Sequence, residues 1–290
     1  CRLFNIGGEG QAYIGGLGVF LVAINFSFLP VPVVWLLAIA GAFVFGAAWA
    51  FIPAYLQAKR GSHIVITTIM FNFIASSLMV YLLVDIIRDM DQMGPHTVAL
   101  PENIWLPTFK DLAALFGMKI RYSPLNLSFL LAIAASFFVW FLVWKTKWGY
   151  EMRAVGHNTQ AAIYAGISPY KNIIIAMLIS GGLAGLLSIN EILGVHHKIV
   201  SGFPAGYGFT GIAVALMGRN HPIGIFPAAF LFGILYQGGS EVTFDMPNIT
   251  RYMFVAVQGV IILFSGALEN LFRPQIESFF VNRLNRRVEA

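Results

Sequence analysis

Charge is scarce in this chain. Its 290 residues include 18 Lys and Arg and 13 Asp and Glu, 11% in all. A soluble domain carries about a quarter charged residues, so that class is excluded. Between Glu9 and Lys59 there is no Asp, Glu, Lys or Arg. Cysteine is scarcer still: the single Cys1 rules out a disulfide framework and any multi-thiolate metal site. The sequence does not begin with Met, and no charged region precedes an apolar signal segment. Both points predict that the natural N-terminus lies upstream of Cys1.

Several motifs are missing as well. There is no G-x-x-x-x-G-K-[ST] phosphate loop, so ATP hydrolysis is not expected in this chain, nor any cofactor. No H-E-x-x-H zinc motif and no G-x-S-x-G nucleophile elbow occur. His196 and His197 are adjacent and point apart on any regular element, which makes them a poor metal pair. His157 and His221 stand alone, as solvated loop residues do. No catalytic constellation is present, and no metal site is expected.

What the chain has in abundance is apolar surface: 58% of its residues are hydrophobic and its mean hydropathy is +0.76. One water-soluble core cannot hide that much, so lipid is its solvent. The expected fold is an all-α, polytopic membrane helical bundle with about eight spanning or re-entrant segments. Spans of about 20 apolar residues fall near 11–28, 33–56, 63–84, 124–144, 172–190, 222–237 and 251–268. An eighth segment, 204–218, is short and glycine-rich. The net charge of +5 could point to nucleic acid, but the bases are dispersed between apolar runs, where they set orientation in a bilayer.

Lys59 and Arg60, then Lys145, Lys147, Arg153 and Lys171, then Arg219, and finally Arg273, Arg283, Arg286 and Arg287 all fall on one side by span parity. That side is expected to be the cytoplasm, with the C-terminus in it. The opposite segment, 85–123, is slightly acidic and is expected outside. Residues 1–272 thus read as a transmembrane domain, 145–171 as its cytoplasmic segment and 273–290 as a cytoplasmic tail. Gly15-Gly16-Leu17-Gly18 and Gly181-Gly182-Leu183-Ala184-Gly185 suit close helix–helix contact, the plainer reading of such glycines.

Three polar segments interrupt the apolar pattern. In "FNIGGEGQ" (Phe4–Gln11), Glu9 stands at the mouth of a long apolar span, where an ionisable group usually faces a bundle interior or a cavity. Asn5 could cap the following helix. A capped cytoplasmic loop is an equally good reading. The segment 202–212, "GFPAGYGFTGI", looks like the start of a broken or re-entrant helix, and a pair of interrupted segments points to a transport path. A glycine-rich outer loop before a tilted helix would look the same. Between them, 145–171 holds Glu151, Arg153, Ala154, Ala161, Ala162 and Tyr164 at the spacing of one short amphipathic helix closed by Gly166. Either a plain connection or a helix that receives force from a partner fits it.

Taken together, "LFNIGGEGQ" (Leu3–Gln11), "VITTIMFNFIA" (Val65–Ala75), "RAVGHNTQAAIYAGIS" (Arg153–Ser168) and "GYGFTGIAVALMGRNHPIG" (Gly206–Gly224) resemble the permease subunits of ATP-binding-cassette importers. The resemblance is to the ribose and branched-chain amino acid branch, in its nucleoside and simple-sugar subgroup. It implies a pore of two permease subunits, alike or different, in a bacterial inner membrane. Two cytoplasmic ATPases that use Mg-ATP drive it, and an extracytoplasmic solute-binding protein feeds it. Family members usually carry further spans before the first of these segments.

Carried onto this chain, the family's coupling segment implies ATPase contacts at Glu151, Arg153, Gly156, Asn158, Ala161, Ala162 and Gly166. His157 stands where the family often has an acidic or polar residue. The expected pathway residues are Phe4, Asn5, Glu9, Gln11, Asn72, Tyr207 and Phe209, with aromatics to stack on a base or sugar and amides to bond its edge. The rival expectation is an ATP-independent secondary transporter or channel, with Glu9 or Glu191 as ion carrier.

Overall fold

The fold is seen in a computed structural model that describes residues 1–90, 94–115, 117–118, 124–246, 253–261 and 263–264. Among these residues all regular structure is helical. The chain is an all-α polytopic membrane protein. Its helices are α1 (Gly8–Asn25), α2 (Val31–Arg60), α3 (Ile64–Tyr81), α4 (Phe109–Leu115), α5 (Ser128–Lys145), α6 (Lys147–His157), α7 (Thr159–Tyr164), α8 (Pro169–Gly185), the short α9 (Leu187–Ile189), α10 (Tyr207–Met217) and α11 (Pro222–Asp245). Five stretches among the described residues are long and apolar enough to cross a bilayer: Val31–Arg60, Ile64–Ile86, Ser128–Lys145, Pro169–His196 and Pro222–Asp245.

The chain divides into two compact units, 1–209 and 210–290. In the first, α1, α2 and α8 pack along glycines and alanines. The buried side of α2 repeats every four residues, Val34, Ala38, Ala42, Gly46, Ala50 and Ala54, a ridge that winds slowly around the helix because each step overshoots one 3.6-residue turn. Where α2 meets α8, a Cβ added at Gly185 would strike the Ala42 carbonyl and lie 3.4 Å from the Gly46 Cα. Against α1, a Cβ at Gly15 would sit 2.6 Å from the Gly185 Cα. Backbones this close leave no room for side chains, the packing that membrane helices use in place of a hydrophobic drive. Pro30 and Pro32 set the start of α2, and Gly61 in the left-handed region (φ 68°) ends it after Lys59 and Arg60.

Two helices leave the regular pattern. Residues 82–86 extend α3 as a π turn, and 190–196 do the same beyond α9. A π turn frees carbonyls that need other donors. Leu193 O accepts the Leu106 N–H at 2.9 Å, and the His197 carbonyl, just beyond the turn, accepts that of Leu100 at 2.8 Å. The 94–109 segment is thereby laced onto the end of this span, and Thr97 and Ile199 exchange two further bonds of 3.1 and 3.0 Å. Trp105 stacks on His197 with ring centroids 3.7 Å apart, while His196 points to Glu191.

Burial holds the His197 imidazole below its ordinary value, and the neighbouring His196 adds to this. The neutral ring is therefore the one the fold favours. Its contribution is complete above the ordinary histidine value of about 6.5 and is lost as pH falls from there through the lowered folded value. Protection of the Leu100 amide, measured against its intrinsic exchange rate at each pH, should fall on acidification below about pH 6. In His197→Phe, which keeps an aromatic face and cannot titrate, that fall should vanish.

In the second unit Val214, Ala228 and Phe232 form a small apolar cluster. Here the span read as 222–237 is longer, reaching Asp245. Gln237 donates to Glu241 at 3.0 Å and Thr243 to the Gly239 carbonyl at 2.8 Å, so the polar C-terminal turns satisfy themselves on the helix. Part of the expected 251–268 span and all of the 273–290 tail lie outside the described residues.

Candidate functional site

The segment "FNIGGEGQ" forms the lead into α1 and its first turn, and its polar groups go to three neighbours. Asn5 makes four hydrogen bonds. Its Nδ2 donates to Gln11 Oε1 and Ser180 Oγ, both at 2.9 Å. Its Oδ1 accepts from Gly7 N at 2.9 Å and Gln11 Nε2 at 3.2 Å. The helix cap is Gly7, and Asn5 serves it by holding the Gly7 N–H. Asn72 of α3 reads the same lead: it accepts from Gly10 N at 2.9 Å and donates to the Ile6 carbonyl at 2.8 Å. Gln11 is 1% exposed. At the junction of α1, α3 and α8, Asn5 and Gln11 are thus paired amide to amide while Asn72 holds the backbone of the same lead in an amide knot, and an Asn5 amide with all four bonds made has no capacity left for a solute.

Glu9 turns the other way. Its Oε1 accepts the Gly206 N–H at 2.7 Å and its Oε2 the Gly208 N–H at 2.8 Å. Both donors belong to the turn that opens α10, where unpaired N–H groups and the helix dipole favour a carboxylate. Gly208 is needed for the approach: an added Cβ would collide with the Glu9 backbone nitrogen. A second tie lies one turn on, where Gly202 N donates to the Tyr13 hydroxyl at 2.6 Å. Phe203 packs edge-on against the Tyr13 ring at 5.2 Å. Phe4 and Phe209 are exposed, at 42% and 50%.

Tyr207 lies elsewhere, on the wall of a cavity of about 640 Å³ between the first turns of α5 and the 183–191 stretch. Its walls are mostly aliphatic and its polar lining comes from Ser128, Asn190, Glu191 and Tyr207. Asn190 Oδ1 accepts from Asn126 Nδ2 at 3.0 Å and Ser128 Oγ at 2.9 Å, and its Nδ2 donates to Glu191 Oε1 at 3.0 Å. His196 Nε2 stands 3.6 Å from the other Glu191 oxygen. The sequence offers Glu191 only as an isolated acid near a span end. Asn126, Ser128 and Asn190 carry no local signal, because their partnership is made across more than sixty residues.

The 145–171 segment folds as two helices rather than the single one expected. Asn158 is the reason. It ends α6 with extended backbone and caps α7, its Oδ1 accepting from Gln160 N at 3.0 Å and Ala161 N at 3.1 Å. At the far end Gly166, at φ 77°, closes α7. Its N–H bonds the Ile163 carbonyl and the next N–H, of Ile167, bonds that of Ala162, both at 2.9 Å. Ala162 is buried, while Ile163 and Tyr164 are 50% and 91% exposed. Arg153, Asn158, Ala161 and Gly166 are exposed, and Glu151 is half-buried.

The inner face of this pair meets the lead of α1 and the base of α8. An added Cβ at Gly156 would lie 3.0–3.2 Å from the backbone of Cys1 and Arg2. Asn172 donates to Glu151 at 3.3 Å, and Cys1 Sγ to the Asn172 carbonyl at 3.5 Å. Asn158→Ala should loosen α7 by about 1 kcal/mol, the usual worth of such a cap. Limited proteolysis between His157 and Gly166 should register this as faster cleavage without change in the rest of the digest.

A family model described as "Branched-chain amino acid transport system / permease component" matches residues 1–266. The guanosine ABC transporter permease of Bacillus subtilis is 37% identical over 90% of this chain and 73% of its own length. A glucose ABC transporter permease of Haloferax volcanii is 34% identical over 98% of this chain and 74% of its own. A nucleoside ABC transporter permease of Lactococcus lactis is 35% identical, with 88% and 70% covered. No solved structure matches the chain significantly.

Proposed function

Since the chain belongs to the permease-component family of branched-chain amino acid transport systems, and so is the membrane subunit of an ABC transporter, we propose that it moves nucleosides or related simple sugars inward. The solute class rests on the relatives named for guanosine, nucleosides and glucose, which align over nearly the whole chain. In this reading a separate cytoplasmic ATPase supplies the energy, a second permease subunit completes the pore and an extracytoplasmic binding protein delivers the solute. The host membrane is the plasma membrane, with α6 and α7 on its cytoplasmic side.

One observation carries the mechanism: a continuous packed path leads from the exposed tip of α7 to the clamp made by Glu9. Gly156 abuts the lead of α1, and Glu151 is bonded to the base of α8. The lead ends in the amide knot, and the first turn of α1 holds the 201–209 segment through Glu9. ATPase closure displaces α6 and α7, the displacement reaches α1 and α8 together, and the path for solute alternates between outward and inward access. In this account Asn5, Gln11, Asn72 and Glu9 act as parts of the moving junction, Phe4 and Phe209 as exposed aromatics beside it, and Glu151, Arg153, Gly156, Asn158, Ala161, Ala162 and Gly166 as the docking element and its supports.

Docking is tested by Ala162→Asp combined with Gly166→Trp. The first puts a charge on the buried side of α7 and the second a bulky residue at a positive φ. The variant should insert normally yet lose co-purification with the ATPase; normal co-purification contradicts the assignment. The solute class is tested by uptake into proteoliposomes holding the complete complex and enclosing ATP. Guanosine or glucose should accumulate and leucine should not. Accumulation of leucine alone would overturn the proposed class.

A further inference from the structure

The cavity beside Tyr207 is not part of the path from α7 to Glu9, and nothing in that path requires it. It is a cleft between the first turns of α5 and the last turns of the Pro169–His196 span, with aliphatic walls, two aromatic side chains, Phe129 and Tyr207, and a floor of polar groups from Ser128, Asn190 and Glu191. A volume of about 640 Å³ is within the range of small-molecule sites, which bind mostly through apolar walls and a few convergent polar groups. A charged residue within an apolar span is costly and is kept where it faces a cavity or has partners. Glu191 has both. Its neighbours orient it: Asn190 fixes one oxygen and His196 approaches the other. Asn190 is in turn fixed by Asn126 and Ser128, so the floor is a preorganised set of groups.

We propose that this cleft is a transient solute subsite on the transport path, taking a neutral solute with one planar or apolar face and adjacent hydroxyl groups. The inference rests on the permease reading above. A ribosyl nucleoside has this form. Its flat base is matched to the aromatic lining supplied by Phe129 and Tyr207. Its vicinal hydroxyls are donors, and the carboxylate of Glu191 is an acceptor-only group with lone pairs to spare after its bond to Asn190, His196 standing 3.6 Å from its other oxygen. An anionic solute is disfavoured by the same carboxylate, and a solute without hydroxyls leaves the floor unanswered.

The experiment compares variants of the full complex, with one binding protein throughout, in ATP-loaded proteoliposomes. Uptake KM is measured for guanosine and for 2′,3′-dideoxyguanosine, with the ATPase rate stimulated by loaded binding protein as the second readout. Glu191→Gln should raise the guanosine KM about tenfold, the loss of one bond of about 1.4 kcal/mol. It should leave the dideoxy KM unchanged, so that the ratio between the two solutes collapses. A structural role for Glu191 would move both solutes alike, and so overturn the assignment. Ala132→Trp, which fills the cleft, should stop uptake while stimulated ATP hydrolysis continues.

If that variant fails to assemble with its ATPase, Phe129→Ala decides in its place. It should raise the KM for both solutes and spare ATP hydrolysis, and an unchanged KM counts against the cleft. Failure of the two ideas looks different. A wild-type complex that moves neither nucleoside nor sugar overturns the proposed function itself. A working wild type together with an equally working Ala132→Trp overturns the subsite alone.

Discussion

Gly185→Leu is expected to abolish folded protein in the membrane. At this position α1, α2 and α8 meet backbone to backbone, and an added Cβ already strikes the Ala42 carbonyl. The obstacle is peptide backbone, so no rotamer change relieves it, and α2 and α8 must separate along their shared stripe. Overpacking a well-filled core costs about 1–3 kcal/mol where neighbours can shift. Here the neighbours are two helices bound to one another, so the cost exceeds about 3 kcal/mol, a large part of the 5–15 kcal/mol that holds an ordinary domain. Gly233→Leu is the control, since an added Cβ there meets nothing within 4 Å. It should yield monodisperse protein after detergent extraction at the level of the parent, while Gly185→Leu yields none. Equal recovery of the two variants would show that the α1–α2–α8 junction is not packed as described.

The second large effect belongs to Glu9. Its carboxylate holds the Gly206 and Gly208 N–H groups, and each hydrogen bond to a charged group contributes about 1.5–3 kcal/mol. Glu9→Ala removes both and leaves two donors at the first turn of α10, so the local loss should be about 3 kcal/mol. Amide exchange at Gly206 and Gly208 should quicken by two orders of magnitude or thereabouts, roughly what such a loss allows. Glu9→Gln keeps the shape and one good acceptor and should fall between parent and Ala. Transport should drop in the same order while membrane insertion and ATPase co-purification persist. Unchanged exchange in Glu9→Ala would remove the clamp from the account.

Both residues show what a sequence carries and what it does not. Apolar length and the positions of Pro and Gly report local preference, so the five long spans were legible, as was the closure of α7 at Gly166. Glu9 stood out because an acid beside an apolar run is costly. Its partners, almost two hundred residues on, could not be read from either segment. The amide knot was partly hidden for the same reason: Asn5, Gln11 and Asn72 looked like groups waiting for a solute, and the fold pairs Asn5 with Gln11 and the distant Ser180 and gives Asn72 to the backbone of Ile6 and Gly10. The break at Asn158 was masked by apolar spacing that continues through it, although an Asn with two following donors is an ordinary cap. The length of α11 was underread because Gln237, Glu241 and Thr243 are polar, yet each bonds within its own helix.

The account as a whole depends on ATP as the energy source. The direct measurement is solute uptake by the complete complex in proteoliposomes, once with ATP on the ATPase side and no ion gradient, and once with an imposed proton or sodium gradient and no ATP. Uptake with ATP alone, lost when the ATPase is omitted, is the predicted result. Uptake with the gradient alone would contradict it and would favour the secondary transporter, in which Glu9 and Glu191 are the candidate ion carriers.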